Sequence, residues 1–441
     1  MIVIDPRLQF GLGLAYSTPS LCHLLNVAAG KISALRHDPD HFLNWLRANY
    51  DREATPMTFA QRAVFGRYIQ SLLAGVEGIE QVCASVVNYR PTNGGAILSL
   101  NNGCELLADY VVLATGNFDP DTLPGISEAT KASGAYCHNA WIPGTYEGLN
   151  VDAPVTLIGT GLTTVDVLLR LRELGHRGTI TAISRHGRLP NRHAPYTPIG
   201  ASAIQEGTPA TCVAYLRALR EAIRNGAEWR AAIDSLRATT NDLWLALPLK
   251  EQQRFRRHLQ CRWGVVRHRM APQIAAIVET ELEACTFIIR DGHLARVESI
   301  NAGAWVTIRT ANGTEGCAAA RVINCTGPNM TYRRVGSPLL DSLFGQGLVS
   351  AGPLGGGFRC SRMGAMIDVD GQESNSLFNI GPGRLGTLLE STAVPEIREQ
   401  SVELASLLAE RLRQEELSGV QVAASEYAPQ DLLEDQEVGV A

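Results

Sequence analysis

The chain has 441 residues, of which 45% are hydrophobic and 19% are charged, and its net charge is −5 at pH 7. This composition is typical of a globular protein with two or three domains, and the acidic balance gives no basic footprint for nucleic acid. No apolar run approaches the roughly 18 residues that a membrane span needs, and no secretory signal opens the sequence. The ten cysteines are scattered without a C-x-x-C pair, so we expect reduced thiols, a cytoplasmic location and no metal site.

The first predicted element is a short strand at the very start, Ile2-Val3-Ile4, which ends at Asp5. An acidic residue at the end of a strand is typical of the second strand of a dinucleotide-binding unit, where it binds ribose hydroxyls. A first strand and a glycine loop normally precede that strand. The sequence therefore opens on the second half of such a motif.

Short β-branched strands then alternate with helical stretches, which predicts an α/β protein with parallel sheet. Two segments with alternating hydrophobicity and Gly/Asn turns, 86–110 and 292–320, are typical of β-meanders. Each leads into a strand that is followed by a Thr-Gly pair, Thr115-Gly116 in "VVLATG" and Thr326-Gly327 in "VINCTG". Such a pair is either an ordinary strand end or a turn that lies against a cofactor.

A complete dinucleotide fingerprint occurs in "VTLIGTGLTTVD", where Gly159-Thr160-Gly161 and Thr164 lie between a predicted strand and a predicted helix. Gly159 permits the tight turn, Gly161 lets the backbone approach a pyrophosphate, and Thr164 is small enough for close helix–strand packing. The pyrophosphate would lie at the helix N-terminus, where free N–H groups and the helix dipole favour an anion. The next strand, "TITAIS", ends before Arg185 instead of an acid, which favours the 2′-phosphate of NADPH.

Residues 201–285 are rich in Arg, Ala and Leu and predict a helical insertion within the second unit. Near its end, "WGVVRHRMAP" brings together Arg267, His268 and Arg269. Neighbouring cationic groups repel one another, so the three residues form either a solvated basic helix face or a site for an anionic substrate.

Towards the C-terminus a predicted strand ends at Gly381-Pro382. A helix is predicted to begin near Pro395 with Glu396 in its first turn, after the polar run Glu390-Ser391-Thr392. Residues 419–441 lose the helical periodicity and become acidic, so we expect them to be poorly ordered.

These segments together resemble a family of FAD/NAD(P)-binding proteins that includes flavin-dependent urate hydroxylase and aspartate N-monooxygenase. The similar segments run in order across nearly the whole chain: "GLGLAYSTPSLCHLLNV", "HFLNWL", "VVLATG", "IGTGLTTVD", "ISRHGRLPNRH", "RHRMAP", "VINCTGP" and "ESTAVPEIREQ". The resemblance implies a two-dinucleotide-binding-domain flavoprotein fold of Rossmann-like three-layer α/β units, with a helical insertion. It implies an FAD-binding domain in two parts, 1–150 and 326–418, with an NADPH-binding domain, 151–325, inserted between them.

The resemblance also implies which residues outside the fingerprint lie near the cofactors: Asp5, Asn26, Thr115, Gly116, Thr326, Gly327, Gly381 and Pro382. Asp5 would hold the adenosine ribose of FAD. The family's first strand and glycine loop, which would grip the FAD pyrophosphate, have no counterpart in this sequence. Because the later FAD-side features remain, we expect a truncated sequence rather than a degenerate or split member that has given up flavin.

The function implied by the resemblance is that of an FAD- and NADPH-dependent oxidoreductase. NADPH would reduce FAD by hydride transfer, and reduced flavin would activate oxygen for the oxygenation of a small, anionic substrate. Because the cofactors carry this chemistry, no side chain is assigned as catalytic. Two alternatives stay open: an NADPH-dependent flavin reductase or oxidase, and a flavin-less nucleotide-binding module that kept Gly159 and Gly161.

Overall fold

The computed structural model describes residues 1–426, which form five β-sheets with helices packed against them. The strands of this range are β1 (Ile2–Ile4), β2 (Glu80–Val82), β3 (Val86–Thr92), β4 (Gly95–Leu100), β5 (Glu105–Ala108), β6 (Val111–Leu113), β7 (Tyr136–Cys137), β8 (Val155–Ile158), β9 (Ile180–Ser184), β10 (Phe287–Asp291), β11 (His293–Ile300), β12 (Gly303–Thr310), β13 (Gly313–Ala319), β14 (Arg321–Asn324), β15 (Ala365–Ile367) and β16 (Glu373–Asn379).

The α-helices of the same range are α1 (Gly13–Tyr16), α2 (His41–Asn49), α3 (Arg62–Ala74), α4 (Glu128–Ala132), α5 (Leu162–Glu173), α6 (Cys212–Arg224), α7 (Trp229–Asp234), α8 (Thr240–Ala246), α9 (Leu249–His258), α10 (Gln260–Arg267), α11 (Pro272–Glu283), α12 (Pro338–Gly345) and α13 (Val394–Glu426). Among the described residues, no helix combines the length and apolar character that crossing a bilayer requires.

The largest sheet is parallel, with the strand order β10-β9-β8-β14-β7. Its central strand β8 is buried along its whole length, as expected when both faces of a parallel sheet are covered. Buried side chains of β8, β9 and β14 pack against those of α5 and α11 in one core. The edge strand β7 comes from before residue 150, so this sheet includes a strand from outside the predicted 151–325 segment.

Two antiparallel three-stranded sheets, β3-β4-β5 and β11-β12-β13, occupy the segments that the sequence predicts as meanders. In each sheet consecutive strands pair directly, so the connections are short turns. The meanders lead into β6 and β14, which are the strands that end before the two Thr-Gly pairs.

Two further sheets are built from the first and last parts of the described chain. β1 pairs in parallel with β2, and β16 pairs in parallel with β6 and antiparallel with β15. Leu113 at the end of β6 is the register partner of Asn379 at the end of β16. The turns that follow these two strands therefore lie at the same edge of their sheet.

The predicted helical insertion is present as α6 to α11. The predicted C-terminal helix is α13, which begins at Val394 and continues to Glu426, beyond the expected domain end at 418. The rest of the predicted poorly ordered tail, 427–441, lies outside the described residues.

Candidate dinucleotide-binding and active site

Gly159 forms the tight turn between β8 and α5 and lies very close to the backbone that follows the neighbouring strand β14. Its φ is +124°, and a Cβ at this position would lie 2.5 Å from the carbonyl oxygen of Cys325, which follows β14. Only glycine adopts this backbone without strain and without displacing the neighbouring chain. The turn is therefore fixed against β14, whose Asn324 is the register partner of Ile158.

Gly161 is the N-cap of α5 and leaves the end of the helix open. No side chain caps this helix, and a Cβ at Gly161 would meet nothing within 4 Å. The N–H groups at a helix start need acceptors, and the helix dipole favours an anion there. The geometry thus fits a pyrophosphate at Gly161, as the fingerprint predicts.

Thr160 and Thr164 support this turn from the buried side. The Thr160 hydroxyl lies 2.8 Å from the Ser184 hydroxyl and donates to the Arg188 carbonyl at 2.7 Å, which holds the loop after β9 against the glycine turn. Thr164 is fully buried under the first turn of α5. Both residues shape the site through packing.

Arg185 lies in the loop that Thr160 anchors. The side chains of Arg185 and Arg188 are exposed, and neither has a hydrogen-bond or ion-pair partner among residues 1–414. Two unpaired guanidinium groups beside an open helix N-terminus can form charge-assisted hydrogen bonds with a phosphate. This placement agrees with the predicted preference for NADPH.

The Thr326-Gly327 turn lies at the same sheet edge as Gly159. The backbone N–H and the hydroxyl of Thr326 both donate to Asn324 Oδ1, at 3.1 and 2.8 Å, and Gly327 has a φ of +85°. The side chain of Thr326 is exposed. The predicted cofactor-proximal turns of β8 and β14 therefore come together.

At the other sheet edge, Gly116 has a φ of +66° and Gly381 a φ of +76°, so both turns use backbone that favours glycine. Thr115 is exposed, and Pro382 is buried in a 3-10 helix, Gly381–Gly386. The Oδ1 atom of Asn379, at the end of β16, is buried and without a hydrogen-bond partner in the described chain.

Asp5 and Asn26 have different surroundings from those turns. Both carboxylate oxygens of Asp5 bind Arg7, whose Nη2 lies 2.8 Å from Oδ2 and whose Nε lies 3.0 Å from Oδ1. The side-chain and backbone hydrogen bonds from Arg7 hold the pKa of Asp5 below its ordinary value, although burial acts in the opposite direction. Asn26 contributes its carbonyl, which lies 3.0 Å from His193 Nε2.

The segment 381–391, called here the 381–391 turn, is closed by a buried hydrogen-bond network. Gly381 N–H donates to Gln400 Oε1 at 2.9 Å, and the Ser391 hydroxyl donates to the Gly381 carbonyl at 2.6 Å. Gln400 Nε2 also donates to Ser391 Oγ at 2.9 Å. The start of the turn, its end and α13 are thereby tied together.

Arg267, His268 and Arg269 do not converge on one point. Arg267 binds Glu396 at 3.0 Å and lies 3.8 Å from Glu390, whereas Arg269 binds Asp234. His268 lies 4.0 Å from Glu390, and burial lowers its pKa from the ordinary value. Each predicted substrate-binding cation thus faces a carboxylate.

Arg237 is a further candidate substrate-binding residue, and the sequence alone does not reveal it. It lies near Arg267, Glu396, Asp234 and Glu390, and burial together with the charge of Arg267 lowers its pKa. Its guanidinium has no hydrogen bond or ion pair within the part of the chain that the structure describes. In "SLRATTN" it is a single arginine without a motif, so only the tertiary contacts identify it.

Comparison with known proteins gives a family for the first part of the chain. Residues 1–118 match the family model described as FAD-NAD(P)-binding, whereas no curated protein sequence matches at a significant level. The description of this model agrees with the resemblance and the cofactor class that the sequence predicts, over the first 118 residues. Across the described residues, no group of three His, Cys, Asp or Glu side chains is arranged to hold a metal ion.

Several solved structures share the fold along nearly the whole chain. An ornithine hydroxylase from Pseudomonas aeruginosa is 14% identical over 93% of this chain and 91% of that chain, with a TM-score of 0.60. A cadaverine monooxygenase from Erwinia amylovora, bound to FAD, is 14% identical over 93% and 92%, with a TM-score of 0.59. An ornithine N-hydroxylase from Kutzneria sp. 744, with reduced FAD, NADP+ and L-ornithine, is 12% identical over 92% of each chain, with a TM-score of 0.58. The predicted two-dinucleotide-domain fold is therefore confirmed.

Proposed function

Because residues 1–118 match the FAD-NAD(P)-binding family, we propose that this protein is an FAD- and NADPH-dependent oxidoreductase of the monooxygenase type that acts on a small molecule. The observation that carries the proposal is the open helix N-terminus at Gly161, with the unpaired Arg185 in the adjoining loop. Solved structures with this fold include hydroxylases and a monooxygenase, which supports the reaction class.

The two cofactors bind at the edges of two different sheets. NADPH binds at residues 151–325, where Gly159-Thr160-Gly161 and Thr164 form the turn and Arg185 meets the 2′-phosphate. FAD binds at residues 1–150 and 326–418, at the carboxyl ends of β6 and β16. The buried Asn379 Oδ1 without a partner at that edge supports a ligand there, since ligands of open α/β sheets bind outside the carboxyl ends of the strands.

When bound, the two cofactors would supply the redox chemistry, which is hydride transfer from the nicotinamide to the flavin and reduction of oxygen by the flavin. The contribution of this chain is to hold the two dinucleotides and to exclude water. The Gly159 turn lies beside the Thr326-Gly327 turn, where the chain passes from the NADPH-binding part to the FAD-binding part, because the two turns follow neighbouring parallel strands. The 381–391 turn covers the other cofactor, and its buried network removes polar backbone groups from solvent.

The substrate is a small molecule that carries an anionic group together with an amine. Three arginines and three carboxylates form the buried cluster beside the 381–391 turn: Arg237, Arg267, Arg269, Asp234, Glu390 and Glu396. Within it the buried Arg267 Nε, Arg269 Nε and Arg269 Nη1 are donors without a partner, as is the Arg237 guanidinium among the described side chains. The buried Glu396 Oε2 is an acceptor without a partner. A cluster with several open donors and an open acceptor suits a ligand that carries both an anionic and a cationic group.

The test is oxygen-dependent oxidation of NADPH with FAD and three probe amines. L-ornithine and L-aspartate carry a carboxylate, and cadaverine does not. We expect hydroxylated product from a carboxylate-bearing amine, a weaker response to cadaverine, and loss of this preference in Arg237→Met but not in Arg224→Met, a variant at an exposed arginine of α6. Hydrogen peroxide as the product with every amine would instead support a reductase or oxidase.

A further inference from the structure

Side chains from two helices of the insertion, α8 and α9, donate hydrogen bonds to the backbone of the 381–391 turn. From α8, Asn241 Nδ2 donates to the Glu390 carbonyl at 2.9 Å, and Trp244 Nε1 donates to the Thr387 carbonyl at 3.0 Å. From α9, Arg256 Nη2 donates to the Leu385 carbonyl at 3.3 Å. The turn follows β16, which lies in the proposed FAD-binding part, whereas the donors lie in the insertion of the proposed NADPH-binding part. The insertion therefore fixes the path of a turn that belongs to the other part of the chain.

Glu390 is the side chain of the turn on which α10 converges. It is 4% exposed, accepts a hydrogen bond from Trp263 Nε1 at 2.7 Å, and lies 3.8 Å from Arg267 Nε and 4.0 Å from His268 Nε2. Burying a carboxylate is costly unless donors and cations surround it, so simple packing of the insertion would not place one here.

Hydrogen bonds link the residue after Glu390 to Gly381, which lies just after the end of β16. The next residue, Ser391, donates to the Gly381 carbonyl, and Gln400 bonds both Ser391 and Gly381. A shift of Glu390 therefore moves Gly381, whose φ of +76° shapes the backbone beside the proposed FAD site.

We propose that Glu390 is a positioning residue, through which the helical insertion holds the 381–391 turn in the conformation that FAD binding requires. This inference rests on the proposed FAD site. The insertion is then a wall of the cofactor site, and Trp263 and Glu390 are the contact that joins the two.

The experiment compares Trp263→Phe and Glu390→Ala with Trp305→Phe, which changes an exposed indole on β12. Three quantities are measured: amide hydrogen exchange of residues 381–391 without ligand, the Kd for FAD from flavin fluorescence, and the Kd for NADPH. We expect both test variants to raise exchange in 381–391 and to weaken FAD binding by at least about tenfold, with NADPH binding unchanged. Trp305→Phe should leave all three as in the wild type.

A general loss of structure would give a different pattern, since exchange would rise throughout the chain and both dinucleotides would bind more weakly. That pattern, or unchanged FAD binding in both variants of a wild type that binds FAD, would overturn the inference while the proposed function stands. A wild type that binds NADPH but no FAD would overturn the proposed function as well.

Discussion

Arg62 on α3 and Asp166 on α5 form a buried, two-pronged ion pair, with Nη1 2.8 Å from Oδ2 and Nη2 3.1 Å from Oδ1. His23 Nε2 also lies 3.0 Å from the Asp166 carbonyl, and its Nδ1 lies 2.7 Å from the Thr18 hydroxyl. The helix that begins at the Gly159 turn is therefore held in place by the N-terminal part of the chain. This pair joins the two regions proposed to bind FAD and NADPH.

We predict that Arg62→Met lowers the free energy of unfolding by about 3–5 kcal/mol, because it leaves the Asp166 carboxylate buried without its partner. The double variant Arg62→Met with Asp166→Leu should recover most of this loss, since no unpaired charge remains. Urea unfolding of the two variants measures the difference. A single variant as stable as the wild type would show that the pair does not hold the two regions together.

The Gly161 position predicts a loss of ligand affinity without a loss of stability. A Cβ at Gly161 meets no protein atom within 4 Å but occupies the space that a pyrophosphate would fill, so Gly161→Ala should weaken NADPH binding at least about tenfold. Gly200→Ala, at another glycine where a Cβ has open space, is the matched control. Calorimetric titration with NADPH and a melting curve give both quantities, and equal NADPH affinity in the two variants would contradict the site.

Gly159→Ala should behave differently from Gly161→Ala. Its φ of +124° and the 2.5 Å approach to Cys325 make any side chain strained, so we expect a lower Tm as well as weaker NADPH binding. An unchanged Tm would mean that the turn accepts a Cβ and that the close contact with β14 is not required.

From the role proposed for Arg185, we predict that this residue makes the protein prefer NADPH to NADH. Arg185→Ala should raise the apparent KM for NADPH much more than that for NADH, because only NADPH carries the 2′-phosphate. Steady-state oxidation of both cofactors measures the ratio, with Arg192→Ala as a control at an exposed arginine that already pairs with Glu279. Equal effects of Arg185→Ala on both cofactors would exclude this role.

We predict that His193 makes a contribution to the free energy of unfolding that depends on pH. Burial and the positive charge of Arg269 lower its pKa from 6.5 to about 4. The unfolded chain therefore takes up this proton before the folded one, so the contribution is present above pH 6.5 and is lost as the pH falls towards about 4.

The variant that isolates this contribution is His193→Gln, whose amide can still donate to the Asn26 carbonyl but does not titrate. We expect its free energy of unfolding to fall less steeply than that of the wild type as the pH is lowered from 7 to 4. Urea unfolding at several pH values gives both slopes, with His293→Gln, at an exposed histidine, as the control for the substitution. Parallel slopes for wild type and His193→Gln would contradict the prediction.

Sequence alone predicted the features that are encoded in short segments. The Gly159 turn, the two meanders, the insertion and the start of α13 depend on residues close together in the chain, and the structure has each of them. The charged cluster could not be predicted in this way, because Arg267 and Arg269 are two residues apart but meet different partners, Glu396 and Asp234. Arg237 and the Glu390–Trp263 contact depend on how the insertion packs, which no local pattern reports.

The most direct test of the account is the visible absorbance of the purified protein after incubation with FAD and removal of free flavin. We predict that FAD binds through the turns at the carboxyl ends of β6 and β16, even though the family's first glycine loop has no counterpart in this sequence. The absorbance of the bound flavin near 450 nm should then bleach when NADPH is added without oxygen. A protein that stays colourless, or a bound flavin that NADPH does not bleach, would contradict the proposal that this chain transfers electrons from NADPH to FAD.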